Sequence, residues 1–171
     1  AKPTADAMLA SLKAVEKRDI KPYDDGEAGA ELMAQKPTPG PVVKTKTIAA
    51  IGVTEWTLKN GVRVVIKPTS FRNDEVRLSA FSPGGHSLVK DADFESARFA
   101  DQVIAQGGLG SFDAVKLRKA LAGKVARVTA RIGELDEGLT GTASPSDLET
   151  MFQLVHLSFT APRRDENAFA A

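Results

Sequence analysis

One Asn-Gly pair constrains the fold of this chain more than any other feature. Asn60-Gly61 separates two runs rich in β-branched and aromatic residues, 53–58 and 62–67. Asn-Gly between such runs favours a type I′ turn, which has positive φ at both central positions, so we expect an antiparallel hairpin. Alternating apolar and polar side chains then predict a third strand over 74–81.

Helix and strand signals alternate after the third strand. Apolar residues at helical spacing predict helices over 93–105 and 113–121, and two strands follow at 124–132 and 135–142. Another helix begins at Ser144, a capping residue followed by proline at the first helical position. The order is therefore β, β, β, α, α, β, β, α. It predicts an α+β domain with a mostly antiparallel sheet and helices packed on one face.

The first third of the chain has a different character. Apolar residues at helical spacing predict a helix over 4–17, and prolines and glycines then favour extended chain and turns, with one helical turn over 28–35. We divide the chain into a helical tail of a preceding domain (1–23), an interdomain linker (24–53) and the first part of a main domain (54–171). Since the chain starts on alanine and a helix start at Asp165 lies near its end, we expect a fragment.

Composition excludes several classes of function. There are 23 Lys and Arg against 22 Asp and Glu, and the formal net charge of +1 gives no field that would gather nucleic acid. The absence of cysteine excludes disulfides, thiolate zinc sites and cysteine nucleophiles. No apolar run approaches the roughly 18 residues of a membrane span. We therefore expect neither a nucleic-acid partner nor a membrane span in this segment.

Histidine offers little chemistry here. The only two histidines are His86, which we expect in a surface loop, and His156, which we expect to be a structural residue on a helix. Two such distant residues do not make a zinc site by spacing. The glycine pairs lack the lysine and hydroxyl of a P-loop, and no serine lies in a GxSxG motif. The residues alone predict no catalytic group and no metal ligand.

Three segments nevertheless resemble one family. Residues 53–88 hold Trp-Thr-Leu-x-Asn-Gly and Ser-Pro-Gly-Gly, residues 94–124 end in Ala-Gly-Lys, and residues 141–169 hold Phe-Thr-Ala-Pro-Arg. In this order they resemble the insulinase/pitrilysin-type zinc metallopeptidases, the inverted HxxEH class. The resemblance is to the start of the degenerate second half of a bacterial member. It implies a domain of the mitochondrial-processing-peptidase type, of which this chain holds the first part.

The resemblance also implies where zinc is and is not bound. In this family the first half carries HxxEH on the helix after the third strand, where two histidines hold zinc and the glutamate activates water. Aligned on Gly107, Arg98 and Gln102 stand at the histidine positions and Asp101 at the glutamate position. Arginine stays protonated, glutamine is a poor ligand, and one aspartate cannot replace the motif. We expect no zinc in this segment and zinc in the catalytic half of the parent.

Two functions are compatible with the resemblance. The first is a non-catalytic segment of a zinc-dependent endopeptidase, which encloses peptide substrate together with the amino-terminal catalytic half of the same chain and is inactive alone. The alternative is a domain of a wholly non-catalytic family member that serves assembly or peptide binding. An upstream HxxEH would decide between them. Exported bacterial relatives imply a periplasmic location, and no substrate-binding residue is assigned.

Overall fold

The computed structural model describes residues 2–16, 18 and 29–170, apart from the side chain at position 167. Its helices and strands, in chain order, are α1 (Ala5–Glu16), β1 (Val42–Ile48), β2 (Val53–Leu58), β3 (Arg63–Ile66), β4 (Val76–Pro83), α2 (Phe94–Gly107), α3 (Ala114–Ala120), β5 (Ala126–Ile132), β6 (Asp136–Ala143), α4 (Leu148–Thr160) and α5 (Glu166–Ala170). No helix among the described residues is long and apolar enough to cross a bilayer. Residues 1, 17 and 19–23 of the predicted tail and 24–28 of the predicted linker lie outside this description.

The described strands form two antiparallel sheets. Their orders are β1-β2-β3 and β4-β6-β5. The predicted α+β class is confirmed, with the difference that the strands divide between two three-stranded sheets instead of sharing one. The predicted order of elements from β2 to α4 is also the observed one. Each predicted boundary lies within a few residues of the observed boundary.

The hairpin of β2 and β3 is present, but its turn is not the predicted type I′. Gly61 has φ of +88°, whereas no residue other than glycine has positive φ in the described chain. The amide of Leu58 donates to Val62 O at 2.8 Å, and the amide of Gly61 donates to Leu58 O at 2.9 Å. Three residues therefore connect the strands, with glycine alone in the left-handed conformation, as in the three-residue hairpin loop with a bulge. The type I′ expectation was wrong because Asn60 keeps negative φ.

Strand β1 was not predicted; it lies within residues 24–53, the predicted interdomain linker. Residues 42–48 pair with β2 in antiparallel register, from Val42 opposite Leu58 to Ile48 opposite Val53. The strand was missed because most of its side chains are exposed, which leaves no apolar alternation to detect. Its lysines and threonines suit an edge strand. The predicted helical turn over 28–35 is likewise absent from the described part, 29–35, where Gly29 has φ of +75°.

The core of the β4-β6-β5 sheet lies beneath α4. Leu139 and Ala143 of β6 are buried while Thr140 and Thr142, which alternate with them, are exposed, so one face of the sheet is covered. Met151 of α4 is fully buried on that face. The absent side chain of Gly141 makes room for it, since an added Cβ would lie 3.0 Å from the Met151 sulfur. Helix packing on one face is thus confirmed for this sheet.

A backbone junction fixes the loop that leads from β4 to α2. The amide of Gly84 donates to Leu135 O, that of His86 to Gly133 O and that of Ser87 to Glu134 O, at 2.9–3.0 Å. Gly85 between them has φ of +78°, and a Cβ there would lie 2.3 Å from Gly133 O. Only glycine permits this approach. The junction sets where α2 begins relative to the β5-β6 turn.

Candidate functional site

Helix α2 carries the three positions that the resemblance singles out. Arg98 and Gln102 are one helical turn apart and both are exposed. The Arg98 guanidinium lies 5.5 Å from the ring centroid of Phe99, its neighbour on the same helix. Asp101 is half-buried, on the side that faces β5. Of these three side chains, the Arg98 guanidinium and the Gln102 amide face solvent, and only the Asp101 carboxylate faces the sheet.

Asp101 is engaged by the sheet. Its Oδ2 accepts a hydrogen bond from the backbone amide of Ile132, the last residue of β5, at 3.3 Å. Strand β5 is an edge of its sheet, and Val125 O accepts from Ser144 N on the β6 side. Alternation along an antiparallel strand then directs the Ile132 amide away from β6. The carboxylate thus satisfies a donor that the sheet leaves unpaired.

An ion pair between Arg131 and Asp136 lies near the contact between Asp101 and Ile132. Arg131 donates from Nη1 to Asp136 Oδ1 at 3.2 Å and makes a second, closer contact from Nη2 to Oδ2. The hydrogen bond from Arg131 lowers the pKa of Asp136, and the same bond raises the pKa of Arg131, to which the charge of Asp101 adds. The carboxylates of Asp136 and Asp101 are therefore bonded to a guanidinium and to a backbone amide, respectively.

These residues do not fit zinc. Across the described ranges, no group of three His, Asp or Glu side chains is placed to hold a metal ion. Arg98 has no lone pair to donate, and Asp101 supplies a single carboxylate, one oxygen of which accepts from Ile132. A zinc site requires at least three protein ligands. Helix α2 packs against β5 and α5.

The two histidines have different surroundings. His86 is in a short 3₁₀ turn and is half-buried, not the surface loop residue that was expected. Its ring meets Phe94 edge-on, with centroids 5.2 Å apart, and its Nδ1 is buried without a hydrogen-bond partner. The burial follows from the backbone junction, which draws residues 84–87 against the β5-β6 turn. His156 is half-buried on α4, as a structural residue would be.

Asp147 is a buried carboxylate whose role the sequence indicated only in part. Ser144 is a capping residue as predicted, but it caps the 3₁₀ turn Pro145–Asp147 that leads into α4: its Oγ accepts from the Asp147 amide at 3.2 Å. The Asp147 carboxylate itself accepts from Val125 N and from Ser144 Oγ, both at 2.9 Å, and lies 3.5 Å from Lys124 Nζ. The bond from Val125, and then that from Ser144, lower the pKa of Asp147. It ties the start of β5 to the start of α4.

Two cavities were not foreseen from the sequence. An apolar cavity of about 610 Å³ lies between α2 and the carboxyl-terminal segment, with Ile104, Pro162 and Phe169 among its lining residues. A more polar cavity of about 370 Å³ lies between residues 29–36 and the ends of α3 and α4. Neither contains Arg98, Asp101 or Gln102. Both depend on contacts between segments distant in sequence, for which a local pattern gives no signal.

Comparison with known proteins places the chain in a family. No family model matches the sequence. A curated relative from Arabidopsis thaliana, named zinc protease PQQL-like, is 30% identical over 154 residues, which is 88% of this chain and 14% of the relative. The chain belongs to the insulinase/pitrilysin-type zinc metallopeptidase family. It spans about one seventh of that metallopeptidase's length.

Solved structures of proteases carry the same fold. A mutant of the ferredoxin protease FusC, in complex with Arabidopsis ferredoxin, is 26% identical with a TM-score of 0.71, over 96% of this chain and 18% of that one. The periplasmic protease PqqL from Escherichia coli gives a TM-score of 0.79 at 19% identity, over 98% of this chain and 18% of that one. At that identity PqqL supports the fold alone. Both likenesses correspond to a short part, 18%, of a larger protease chain.

Proposed function

We propose that this chain is a non-catalytic segment of a zinc-dependent endopeptidase and forms part of the half that helps to enclose the peptide substrate. The proposal rests on which side chains α2 carries at three positions. At the positions of the zinc-binding motif it has Arg98, Asp101 and Gln102, and the one carboxylate is bonded to Ile132. In this proposal zinc belongs to the amino-terminal catalytic half of the parent chain.

The small share of each relative that the chain covers supports this division. The chain matches 14% of the PQQL-like relative and 18% of the FusC chain. Such a segment contributes scaffold and surface to the enclosed space, while the other half supplies the metal. The FusC structure contains ferredoxin, which supports a polypeptide as the class of partner. PqqL is a periplasmic protease, which supports the same compartment for this protein.

The amino-terminal region has its own place in the proposal. Residues 1–23 would be the helical tail of the preceding domain. The apolar stripe of α1 is exposed, with Met8, Leu9 and Leu12 each about half or more accessible, which suits a helix that packs on a domain outside this chain. Residues 24–53 would then join the two halves, with their last part paired to β2.

The test uses the longer protein that contains this segment. We expect one zinc per chain and hydrolysis of fluorogenic peptides that a chelator abolishes and added zinc restores. The variant Gln102→Ala, at an exposed position of α2, should retain zinc and activity within a factor of about two, because exposed positions rarely matter to stability. A longer protein that holds zinc but loses it on this substitution would place the metal in this segment and overturn the assignment.

The same experiment separates the alternative. If the longer protein holds no zinc and hydrolyses no peptide, but binds peptide or a partner subunit, the wholly non-catalytic family member is the correct description. An HxxEH motif in its sequence, with a glutamate further along, would instead favour the peptidase before any assay.

A further inference from the structure

Residues 29–40 are here called the strap. Their first part, residues 29–36, lies beside the carboxyl end of α3 and the amino end of α4. Lys36 Nζ of the strap is 2.6 Å from Glu149 Oε1 in the first turn of α4. This contact raises the pKa of Lys36 and lowers that of Glu149, in each case chiefly through the hydrogen bond between the two groups. The strap is therefore tied to the main domain, although it precedes β1 in the chain.

Three apolar side chains accompany the ion pair. Ala30, Leu32 and Met33 are half-buried, whereas residues 34–40 are exposed. All three line the polar cavity of about 370 Å³, together with Ala120 and Leu121 at the end of α3. The strap thus buries a small apolar area beside the ion pair. Because the cavity between the strap and the helices is not filled by side chains, this contact is loose.

The backbone adds nothing to this attachment. Among the described residues, the strap makes no backbone hydrogen bond to α3 or α4. The first such bond of this region comes after the strap, from Lys59 N to Pro41 O at 3.0 Å. The segment is therefore anchored firmly at its β1 end. Between residues 29 and 40 it is held by side chains alone.

The ion pair that holds the strap is sensitive to its surroundings. The Lys36 side chain is 77% exposed and that of Glu149 60% exposed. Pairs of such exposure contribute little stability and are screened by salt. Within the described part of the chain, the strap is held by one such pair and three half-buried apolar side chains. Such a segment is close to balance between attached and released states.

We propose that the strap is a reversible latch, which docks on the ends of α3 and α4 and is released when the Lys36 and Glu149 charges are screened or removed. Its consequence in the longer protein rests on the proposed function, in which this region joins the two halves. Release of residues 29–40 would add up to about 40 Å of reach at 3.3–3.6 Å per extended residue. That is enough to change how far two domains separate, so docking sets the free length of the tether.

The test exploits the absence of cysteine from the chain. Met33→Cys introduces one thiol that is shielded while the strap is docked, and its rate of reaction with a maleimide reports release. We expect the rate to rise about two- to five-fold when Glu149→Gln is added, the range for loss of an exposed ion pair. Raising the salt concentration from about 0.05 M to about 0.5 M should raise the rate similarly for Met33→Cys with Glu149 intact. It should have little further effect when Glu149→Gln is also present.

The matched control is Gln35→Cys, two positions along the strap and exposed. Its thiol should react at one rate with and without Glu149→Gln, which separates release of the strap from any effect of the substitution on thiol chemistry. Equal rates for Met33→Cys in both backgrounds, or a salt effect that Glu149→Gln leaves unchanged, would overturn the latch. Because this measurement needs neither zinc nor hydrolysis, its outcome is independent of whether the parent is a peptidase.

Discussion

The Asp101 carboxylate of α2 accepts a hydrogen bond from the backbone amide of Ile132, 3.3 Å away at the end of β5. The resemblance aligns Asp101 with the glutamate that activates water in the catalytic members of the family. Here that position is occupied by a carboxylate with a structural partner. The hydrogen bond attaches α2 to the edge strand β5.

Removal of this carboxylate should destabilise the fold. Asp101→Ala leaves the partly buried Ile132 amide without its acceptor, and we expect the free energy of unfolding to fall by about 1–2 kcal/mol. Denaturant titration of the purified chain measures this. Asp101→Asn keeps an acceptor oxygen and should lose less. Gln102→Ala, exposed on the same helix, should change stability by less than about 0.5 kcal/mol, and an equal loss in both helix variants would contradict the assigned role.

Histidines restored on α2 should bring back weak metal binding without catalysis. Arg98→His with Gln102→His places two imidazoles one turn apart on an exposed face, where both can contact one zinc ion. Two ligands do not complete a tetrahedral site, so we expect binding that titration calorimetry detects and dialysis removes. Either single substitution is the control and should bind more weakly. Retention of one zinc per chain by the double variant after dialysis would show that a further ligand had been overlooked.

The backbone junction at Gly85 should tolerate no side chain. Gly85 and Gly123 share a φ of +78°, but an added Cβ meets Gly133 O at 2.3 Å in the first case and nothing within 4 Å in the second. Gly123→Ala should therefore cost only the conformational penalty of about 1–2 kcal/mol. We expect Gly85→Ala to cost at least about 3 kcal/mol, because backbone must move. Similar melting temperatures for the two variants would contradict the junction's geometry.

Asp147 should contribute to the acid sensitivity of the fold. Its pKa is lowered by the bonds from Val125 and Ser144, so the ionised form is favoured in the folded state. A group with a lowered folded pKa contributes stability above its unfolded value, near 3.8 here, and loses it as pH falls through the folded value. Asp147→Asn should therefore be less stable than the wild type at neutral pH, and the difference should narrow below about pH 4.

Thermal melts of both proteins between about pH 7 and pH 2.5 test this behaviour, since the range extends above and below the unfolded pKa of aspartate. Because the pKa of Glu75, of Asp136 and of Glu149 is also lowered, the wild-type melting temperature should fall with acid in any case. The informative quantity is the difference between the two proteins. A difference that is constant over the whole range would show that the charge of Asp147 plays no part.

Local chemistry predicted most of the main domain. The glycine after Asn60, the serine before Pro145 and the helical spacing in 93–105 each act within a few residues. The hairpin, the serine cap just before α4 and helix α2 are present as expected. Strand β1 was missed because its stability comes from pairing with β2 and leaves no apolar pattern. The turn type was wrong because a bulged three-residue loop also accepts Asn-Gly.

The site contacts were beyond local reading. Residue-by-residue comparison with the HxxEH motif located Arg98, Asp101 and Gln102, but nothing near Asp101 in sequence announces a partner 31 residues away. The same holds for Asp147 and Val125, 22 residues apart, and for Lys36 and Glu149. Such pairs depend on how helices and strands pack, which a sequence specifies only through the whole fold.

We expect this segment to carry no zinc site of its own. Elemental analysis of the purified chain, after incubation with zinc and exhaustive dialysis, measures this. We expect far less than one zinc per chain, since α2 offers Arg98 and Gln102 where the family's ligands would stand. One tightly held zinc per chain after dialysis would contradict it.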